Sequence, residues 1–414
     1  ASDVYKRQIL FITDVLVTDY SSVIFENAVI GNACVLYAPD LEQYTDGRGF
    51  YFDYSDYSCG SVVHSFSELA HAVLAENPGS ALVYGVSEGY EPLRKTVAEW
   101  LKRRDNIGTE DDSVIITAGG TQVMDITTRI MTSPGDTVIC EEPSFIGSLN
   151  CFRSHGCKLA GVPIDADGMN VDALERVIAE NPDAKFIYTI PNFQNPGGTT
   201  MSLEKRKRLY ELAKQNSLLI LEDDPYGNLR VEGDSVPSIK SMDRDGIVIY
   251  AGSFSKILAP GLRVAYAVVP SKAAAAFTIG KQVSDVHTGV LNQMIVSRWF
   301  SEYDVDKHIV EIRKIYRRKL SLMCDCLDKY CGGFIKSVRP QGGLFVWAKL
   351  PENVDMLKYV NRLLEHKVAV VPGSAFMIDD TVPCSYIRLN FSTPSDEEIV
   401  KGVQIMGEVA KEFE

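Results

Sequence analysis

Short apolar runs alternate with amphipathic stretches along most of the chain from residue 81 onward. Apolar runs bounded by polar residues predict buried strands, and apolar positions that recur every three or four residues predict helices. These patterns predict strands at 112–117, 137–140, 185–190, 218–221, 247–250 and 264–269, and helices at 121–131 and 202–215. Regular alternation of strands and helices predicts an α/β fold with a mostly parallel sheet and helices on both of its faces.

The pattern changes after residue 290. Two long helices are predicted at 291–302 and 305–330, followed by a strand, a helix, a strand and a final helix. This order is typical of a second, smaller α+β domain. At the start of the chain, strands at 14–18 and 34–38 flank a helix at 23–30, which predicts a separate α/β unit.

The distribution of charge supports a domain boundary near residue 78. The 414-residue chain has a net charge of −13, and −8 of this falls in the first 78 residues, where Lys6, Arg7 and Arg48 are the only basic side chains. Residues 77–80 have the composition of a turn and lie at this change. We therefore divide the chain into domains at 1–78, 79–290 and 291–414.

Composition also excludes several classes of function. An acidic chain disfavours nucleic-acid binding, because phosphate contacts need a basic surface. No apolar run reaches the roughly 20 residues that a membrane span needs. The six histidines lack metal-ligand spacing and the nine cysteines form no paired CxxC motifs, so we predict no metal site and no disulfides. Free thiols indicate a reducing compartment, and we interpret the protein as cytoplasmic.

Four polar loops follow predicted strands and are the candidates for a ligand site. In such sheets, ligands bind beyond the carboxyl ends of the strands, where loops meet helix N-termini. Gly119, Gly120 and Thr121 follow one strand and open a helix, so their backbone N–H groups can face a phosphate. The other three loops are 191–198, 222–226 and 253–256. Each is weak evidence alone, because a glycine pair after a strand is usually a turn.

Together and in this order, these segments resemble the fold-type I pyridoxal-phosphate aminotransferases of classes I and II. The resemblance covers residues 81–414 and is closest to the branch with 2-aminoadipate and kynurenine aminotransferases. It rests on the segments YGVSEGYEPLR, EEPSF, PNFQNPGG, EDDPY, GSFSK, PGLR, KQVSDVHTGVLNQM and YIRLNFS. The resemblance implies pyridoxal 5′-phosphate as the cofactor and a homodimer with shared active sites.

The resemblance also implies the catalytic roles. Lys256 would hold the cofactor aldehyde as a Schiff base and act as the base that moves the substrate Cα proton. Asp223 would pair with the pyridine nitrogen, because the family places its aspartate three residues before the tyrosine; Asp224 is the rival for this role. Tyr226 and Asn195 would both hydrogen-bond the ring hydroxyl.

The remaining implied roles concern the phosphate, the ring and the substrate carboxylate. Phe145 stands where the family has an aromatic side chain stacked on the cofactor ring. Arg388 would bind the substrate α-carboxylate with two hydrogen bonds. Tyr84 would reach the phosphate bound in the neighbouring subunit. The implied phosphate ligands are the hydroxyl, guanidinium and backbone amide groups of Ser253, Ser255, Arg263, Gly120 and Thr121.

Residues 1–78 resemble a different family. The segments TDYSSVIFE and YAPDLEQYTDGRGFYFDY are similar to the C-terminal end of CDP-glycerol glycerophosphotransferases, whose GT-B-like halves are Rossmann-like. The catalytic histidines of that family have no counterpart here. This fragment also stands where the aminotransferases have an N-terminal arm, which helps them to select the substrate.

The leading hypothesis is therefore transamination between an L-amino acid and a 2-oxo acid by ping-pong kinetics. Glutamate, 2-aminoadipate, aromatic and branched-chain amino acids remain open as donors. The alternatives are a catalytically inert chimera of two gene fragments and a bifunctional protein with a vestigial teichoic-acid segment. A transcription regulator that uses the same fold is disfavoured, because residues 1–78 are acidic and show no basic helix-turn-helix.

Overall fold

A computed structural model describes residues 15–18, 33–36, 73 and 78–413 of the chain. Strands β1 (Val15–Thr18) and β2 (Ala33–Leu36) pair in parallel, with Val15 opposite Ala33. Both strands were predicted, each with bounds one or two residues different. The predicted helix at 23–30 lies outside the described residues.

The main body begins with α1 (Pro78–Ala81), one helical turn where the sequence predicted a non-helical turn. The strands that follow are β3 (Asp112–Thr117), β4 (Thr137–Glu142), β5 (Lys158–Asp165), β6 (Gly168–Met169), β7 (Ala184–Thr189), β8 (Leu219–Asp223), β9 (Val248–Ser253), β10 (Ala265–Pro270), β11 (Lys336–Ser337), β12 (Phe345–Lys349), β13 (Val371–Pro372) and β14 (Tyr386–Asn390). The helices are α2 (Glu91–Asp105), α3 (Gly120–Met131), α4 (Ile146–Ser154), α5 (Val171–Glu180), α6 (Leu203–Gln215), α7 (Ile239–Met242), α8 (Ser271–Asp285), α9 (Val290–Glu302), α10 (Val305–Tyr330), α11 (Met356–Glu365) and α12 (Asp396–Ala410).

The large sheet has eight strands in the order β3-β10-β9-β8-β7-β4-β5-β6. Strands β9, β8, β7, β4 and β5 are parallel to one another. Strand β10 runs antiparallel to both of its neighbours, and the short β6 runs antiparallel to β5. The prediction of a mostly parallel α/β sheet is therefore confirmed.

Apolar cores cover both faces of this sheet, which explains why its strands are continuous apolar runs. Every residue of β9 and β10 is buried. One core includes Ile139, Leu174 and Leu209, and so packs α5 and α6 on the sheet. The other core extends from the large sheet to α10 and α12, and includes Ile309 and Val403. The C-terminal part therefore packs directly on the large sheet.

The C-terminal part contains a four-stranded antiparallel sheet, in the order β11-β12-β14-β13. Buried and partly exposed side chains alternate along β12 and β14, as a strand with one face on a core requires. Helices α10, α11 and α12 complete an α+β arrangement, as predicted. Among residues 78–413, no helix has the length and the apolar character that a bilayer crossing requires.

Candidate active site

Five loops meet at the carboxyl edge of the large sheet, and they carry most of the predicted site residues. The loops after β3, β4, β7, β8 and β9 all leave the sheet at this edge, because those strands are mutually parallel. Since β10 is antiparallel, its first residue lies at the same edge, directly after Arg263 and Val264. Sequence-distant segments are thus brought together by strand direction alone.

The loop after β3 is shaped to present backbone N–H groups. Gly119 has a φ of 96°, a left-handed conformation that favours glycine, and α3 begins at the next residue. A Cβ on Gly119 would lie 2.1 Å from Nη2 of Arg263. The N-terminal amides of α3, including those of Gly120 and Thr121, therefore lie beside a guanidinium group, and both favour an anion.

The loop after β9 adds two hydroxyl groups and a lysine at the same edge. Ser253 is the last residue of β9, and its Oγ accepts a hydrogen bond of 3.1 Å from the backbone N–H of Ser255. Lys256 follows, and burial lowers the pKa of its amine, assisted by the guanidinium groups of Arg263 and Arg388. A lowered pKa favours the neutral amine, which is the form that can accept a proton.

Asp223 ends strand β8 and is buried. The Tyr188 hydroxyl donates a hydrogen bond of 2.8 Å to Oδ2 of Asp223, and the Ser148 hydroxyl donates one of 2.8 Å to the Tyr188 oxygen. Burial raises the pKa of Asp223 to about 7, against the Tyr188 hydrogen bond, which lowers it. A buried carboxylate held in this way is suited to pair with a cation.

The rival carboxylate, Asp224, is occupied in holding the loop. Its Oδ1 accepts hydrogen bonds from the Asn192 side chain (3.0 Å) and from the backbone N–H of Gly227 (2.9 Å). Its Oδ2 accepts a hydrogen bond of 3.0 Å from the Tyr250 hydroxyl. Because Asp223 and Asp224 are consecutive at the end of a strand, they face opposite directions, and Asp223 is the carboxylate that acts to raise the pKa of Lys256.

Arg388, on β14 of the small sheet, faces the same site. Its Nη1 donates a hydrogen bond of 2.9 Å to Oδ1 of Asn195. Its guanidinium carbon lies 4.1 Å from the ring centre of Phe345 and 4.9 Å from that of Phe376. Its Nε is buried and has no hydrogen-bond partner within the described residues. A buried donor without a partner costs about 1–3 kcal/mol, and a bound carboxylate would satisfy it.

Tyr226 lies in the loop after β8, three residues beyond Asp223. It is buried, and its side chain forms a hydrogen bond with Asn195. Burial raises its pKa, the Asp223 carboxylate raises it further, and the Arg388 cation lowers it. Asn195 therefore contacts both Tyr226 and Arg388, so its loop joins residues of the large sheet to those of the small sheet.

The positioning of Asn195 depends on a buried carboxylate that the sequence analysis missed. Glu141 accepts hydrogen bonds from the Thr189 hydroxyl (2.6 Å), the Ile190 backbone (3.2 Å) and the Gln194 side chain (3.2 Å). Burial raises its pKa to about 7. Tyr188 and Ser148 were missed as well. The sequence did contain a sign of these three residues, because each is a polar residue in or beside an apolar segment. Buried polar groups normally have hydrogen-bond partners, so such residues indicate a polar network.

The last two predicted residues differ in their surroundings. Phe145 is the N-cap of α4 and packs on the core, and a Cβ on Gly147 would lie 2.6 Å from its ring. Tyr84 is 86% exposed, and its ring meets that of His287, at 5.8 Å between centroids. The structure thus gathers eleven of the predicted residues at the sheet edge and leaves Tyr84 apart. The gathered residues are Gly120, Thr121, Phe145, Asn195, Asp223, Tyr226, Ser253, Ser255, Lys256, Arg263 and Arg388.

A scan of family models matches residues 51–405 to aminotransferase class I and II. The chain belongs to this family. It is therefore an enzyme of the aminotransferase class, and pyridoxal 5′-phosphate, the predicted cofactor, is confirmed by the family. Residues 2–80 match a second model, that of CDP-glycerol:poly(glycerophosphate) glycerophosphotransferase. The two matches overlap at 51–80, so the aminotransferase match begins earlier than the predicted residue 81.

Individual relatives agree with this assignment. Aromatic-amino-acid aminotransferase 1 of Thermococcus litoralis is 37% identical over 84% of this chain and 85% of its own. The 2-aminoadipate transaminase of Thermus thermophilus is 37% identical over 83% of this chain and 85% of its own. The crystal structure of Pyrococcus horikoshii kynurenine aminotransferase in complex with PMP superposes with a TM-score of 0.80. It is 36% identical and covers 84% of this chain and 88% of its own.

Proposed function

We propose that the chain catalyses transamination between an L-amino acid and a 2-oxo acid by ping-pong kinetics, through Lys256. The observation that carries this proposal is that Lys256, at the carboxyl edge of the large sheet, interacts electrostatically with the buried Asp223 and with the guanidinium groups of Arg263 and Arg388. Burial and the two cations lower the pKa of the amine, which favours its neutral form, while Asp223 acts in the opposite direction. When bound, the cofactor supplies an aldehyde for the amino group and a ring that accepts electrons from Cα.

The residues around Lys256 would have separate roles in proton transfer, in binding the cofactor ring and in binding its phosphate. Lys256 would take the proton from the substrate Cα and return it. Asp223 would hold a proton on the pyridine nitrogen, and Tyr188 would keep the Asp223 carboxylate ionised and oriented. Asn195 and Tyr226 would hydrogen-bond the ring hydroxyl, and Phe145 would stack on the ring. The phosphate would be bound by Ser253, Ser255, Arg263 and the amides of Gly120 and Thr121.

Arg388 would bind the substrate carboxylate through its unpartnered Nε edge. The rings of Phe345 and Phe376 lie against the guanidinium and reduce its contact with water, which strengthens a charge-assisted hydrogen bond. Donors with glutamate, 2-aminoadipate, aromatic or branched side chains all present the same α-carboxylate. The aromatic and 2-aminoadipate specificities of the two relatives favour testing those donors first.

We also propose that two copies of the chain form a homodimer with shared sites. Leu82, Val83, Tyr84 and Val86 are all more than half exposed, a large apolar patch for a surface segment. Val283 and Val286, at the end of α8, are exposed nearby, because Tyr84 lies against His287. A second copy would cover this patch, and Tyr84 would then reach the partner's phosphate site.

Two further assignments stay proposals. Residues 79–290 and 291–414 would act as the large and small domains, with 1–78 as the glycerophosphotransferase-like fragment. The protein would work in the cytoplasm, where thiols stay reduced. All seven cysteines within the described residues are free, which agrees with such a compartment.

The decisive test is a visible absorption spectrum of the purified chain with pyridoxal phosphate, before and after addition of L-glutamate. We expect an absorption band of lysine-bound cofactor that bleaches with glutamate and is missing in Lys256→Ala. A donor panel with 2-aminoadipate, phenylalanine and leucine then ranks the substrates. A band that no amino acid bleaches would overturn the proposed activity and favour the inert chimera.

Light scattering of wild type and of Tyr84→Phe tests whether the chain forms a dimer. The cofactor affinity of the same two proteins tests whether Tyr84 contributes to the phosphate site of the neighbouring subunit.

A further inference from the structure

A side-chain cluster outside the active site brings together three groups with metal-binding chemistry. Asp125 lies on α3, Cys151 lies on α4, and His155 is the C-cap residue directly after α4. A carboxylate oxygen of Asp125, the Sγ of Cys151 and a ring nitrogen of His155 all lie within 4.8 Å of one another. Cys151 and His155 are four residues apart, so they share one side of their helix.

We propose that Asp125, Cys151 and His155 form a binding site for Zn²⁺, with the fourth position open to water. Zinc bonds of about 2.0–2.3 Å place tetrahedral ligands roughly 3.3–3.8 Å apart, so only small side-chain movements are needed. A thiolate, an imidazole and a carboxylate together favour Zn²⁺ over Mg²⁺ or Ca²⁺, which prefer oxygen ligands alone.

The hydrogen bonds of the cluster show which protons a Zn²⁺ ion would displace and what holds its ligands in place. His155 Nε2 and Asp125 Oδ1 are 2.8 Å apart, and the ion would replace the proton between them. Arg129 donates to the other carboxylate oxygen at 3.1 Å, and so holds the Asp125 side chain in place. Cys151 is a free thiol, and a thiol must lose its proton to bind a metal ion. Binding therefore releases the thiol proton to solvent.

An open surface depression of about 490 Å³ supplies access to the cluster. Its lining includes Asp125 and Cys151, and it extends along α3 to Gln122 and Thr121. Helix α3 begins at the phosphate-binding amides, and Phe145 caps the start of α4. An ion at this site would therefore link the two helices whose N-terminal ends border the cofactor site.

The test is a Zn²⁺ titration of the holoenzyme in competition with a chromophoric chelator. We expect wild type to bind Zn²⁺ at this site, and Cys151→Ser and His155→Ala each to weaken binding by about 10-fold or more. His366→Ala and Cys384→Ser are the matched controls, because they remove the same chemistry elsewhere. Co²⁺ should give a thiolate charge-transfer band in wild type that Cys151→Ser abolishes.

A second measurement uses wild type alone, in case a variant fails to fold. Zn²⁺ should slow alkylation of Cys151, mapped by mass spectrometry, and leave that of the half-buried Cys384 unchanged. The proposal is overturned if Zn²⁺ does not protect Cys151, or if the Cys151→Ser and His155→Ala proteins bind Zn²⁺ as tightly as wild type. Because none of these readouts is transamination, they do not depend on the proposed function.

Discussion

The two sheets of this protein contribute to the active site in different ways. In the large sheet both faces are buried, so polar chemistry can lie only at the strand ends, as with Asp223 and Ser253. In the small sheet only one face packs on the core. Val346 and Leu389 face the core, while Arg388, in the middle of β14, and Phe345, at the start of β12, lie on the other face, toward the candidate site.

This difference suits the two ligands of the proposed site, the cofactor and the substrate, which need different kinds of binding surface. Strand ends of a buried parallel sheet are rigid and converge at one edge, which suits a cofactor that stays bound. A sheet face presents several side chains in a row, which suits a surface that contacts exchanging substrates. Asn195 joins the two, since it contacts Tyr226 on one side and Arg388 on the other. The predictions below test this division.

The largest effect is expected at Asp223. Asp223→Asn removes the negative charge opposite the pyridine nitrogen, and we expect kcat to fall by roughly 10²–10³-fold. Asp224→Asn is the matched comparison. It removes one acceptor from a satisfied network, so we expect a loss of about 1–3 kcal/mol in the free energy of unfolding and a smaller loss of kcat. Equal effects of the two variants on kcat would contradict the assignment of Asp223.

Arg388→Gln tests whether the small sheet binds the substrate carboxylate. Without the guanidinium, the substrate carboxylate loses a charge-assisted pair, and we expect KM to rise by about 10–100-fold. The cofactor affinity should stay close to that of wild type, because Arg388 belongs to the other sheet. Steady-state kinetics and an equilibrium cofactor titration separate the two effects. A large loss of cofactor affinity would show that cofactor binding and substrate binding are not separated between the two sheets.

Gly119→Ala tests the strand-end geometry of the phosphate side. The new Cβ would lie 2.1 Å from Nη2 of Arg263, and the φ of 96° disfavours alanine. We expect cofactor affinity to fall by about 10-fold, since one charge-assisted hydrogen bond is worth about 1.5–3 kcal/mol. Gly402→Ala is the control, because a Cβ there meets nothing within 4 Å. Unchanged affinity in Gly119→Ala would place the phosphate elsewhere.

The pH dependence of stability tests the burial of Asp223. Its pKa is raised from the usual 3.8 to about 7 in the folded, cofactor-free protein. A raised carboxyl pKa contributes stability below about pH 4, and that contribution is lost as the pH rises to about 7. The Tm of the cofactor-free enzyme should therefore fall over this range, and less so in Asp223→Asn. An identical pH dependence in both proteins would contradict the raised pKa.

The smallest effect is expected at Tyr188. Tyr188→Phe removes the hydrogen bond to Asp223 while keeping the ring that packs against Phe152. The pKa of Asp223 should rise further, because this hydrogen bond favours the ionised form. We expect kcat to fall a few-fold, with the acidic limb of the pH–rate profile moved to higher pH. A lower kcat without that movement would indicate a structural role alone.

Much of the fold could be predicted because its signals are local. The apolar runs identified every long strand of the sheet except β5, whose core-facing Val162 alternates with more exposed residues. Helices α2, α4, α5, α7 and α8 were missed as well. In α8, the alanine-rich sequence has few large apolar side chains at helical spacing. Strand β8 extends two residues beyond its predicted end, because Glu222 and Asp223 are polar but buried, and β9 extends three residues, to the buried Ser253. Local pattern cannot reveal that a polar residue has a distant partner.

The sequence by itself determined the fold class and the family, because these depend on local periodicity and on short motifs. The tertiary structure decided which of two consecutive aspartates faces Lys256, and it placed Tyr188, Ser148 and Glu141 behind the site. It also assembled the cluster of Asp125, Cys151 and His155 from two helices, although no metal-ligand spacing is visible along the chain. Each of these depends on the direction of a side chain and on partners far away in sequence. Such properties exist only once the chain is packed.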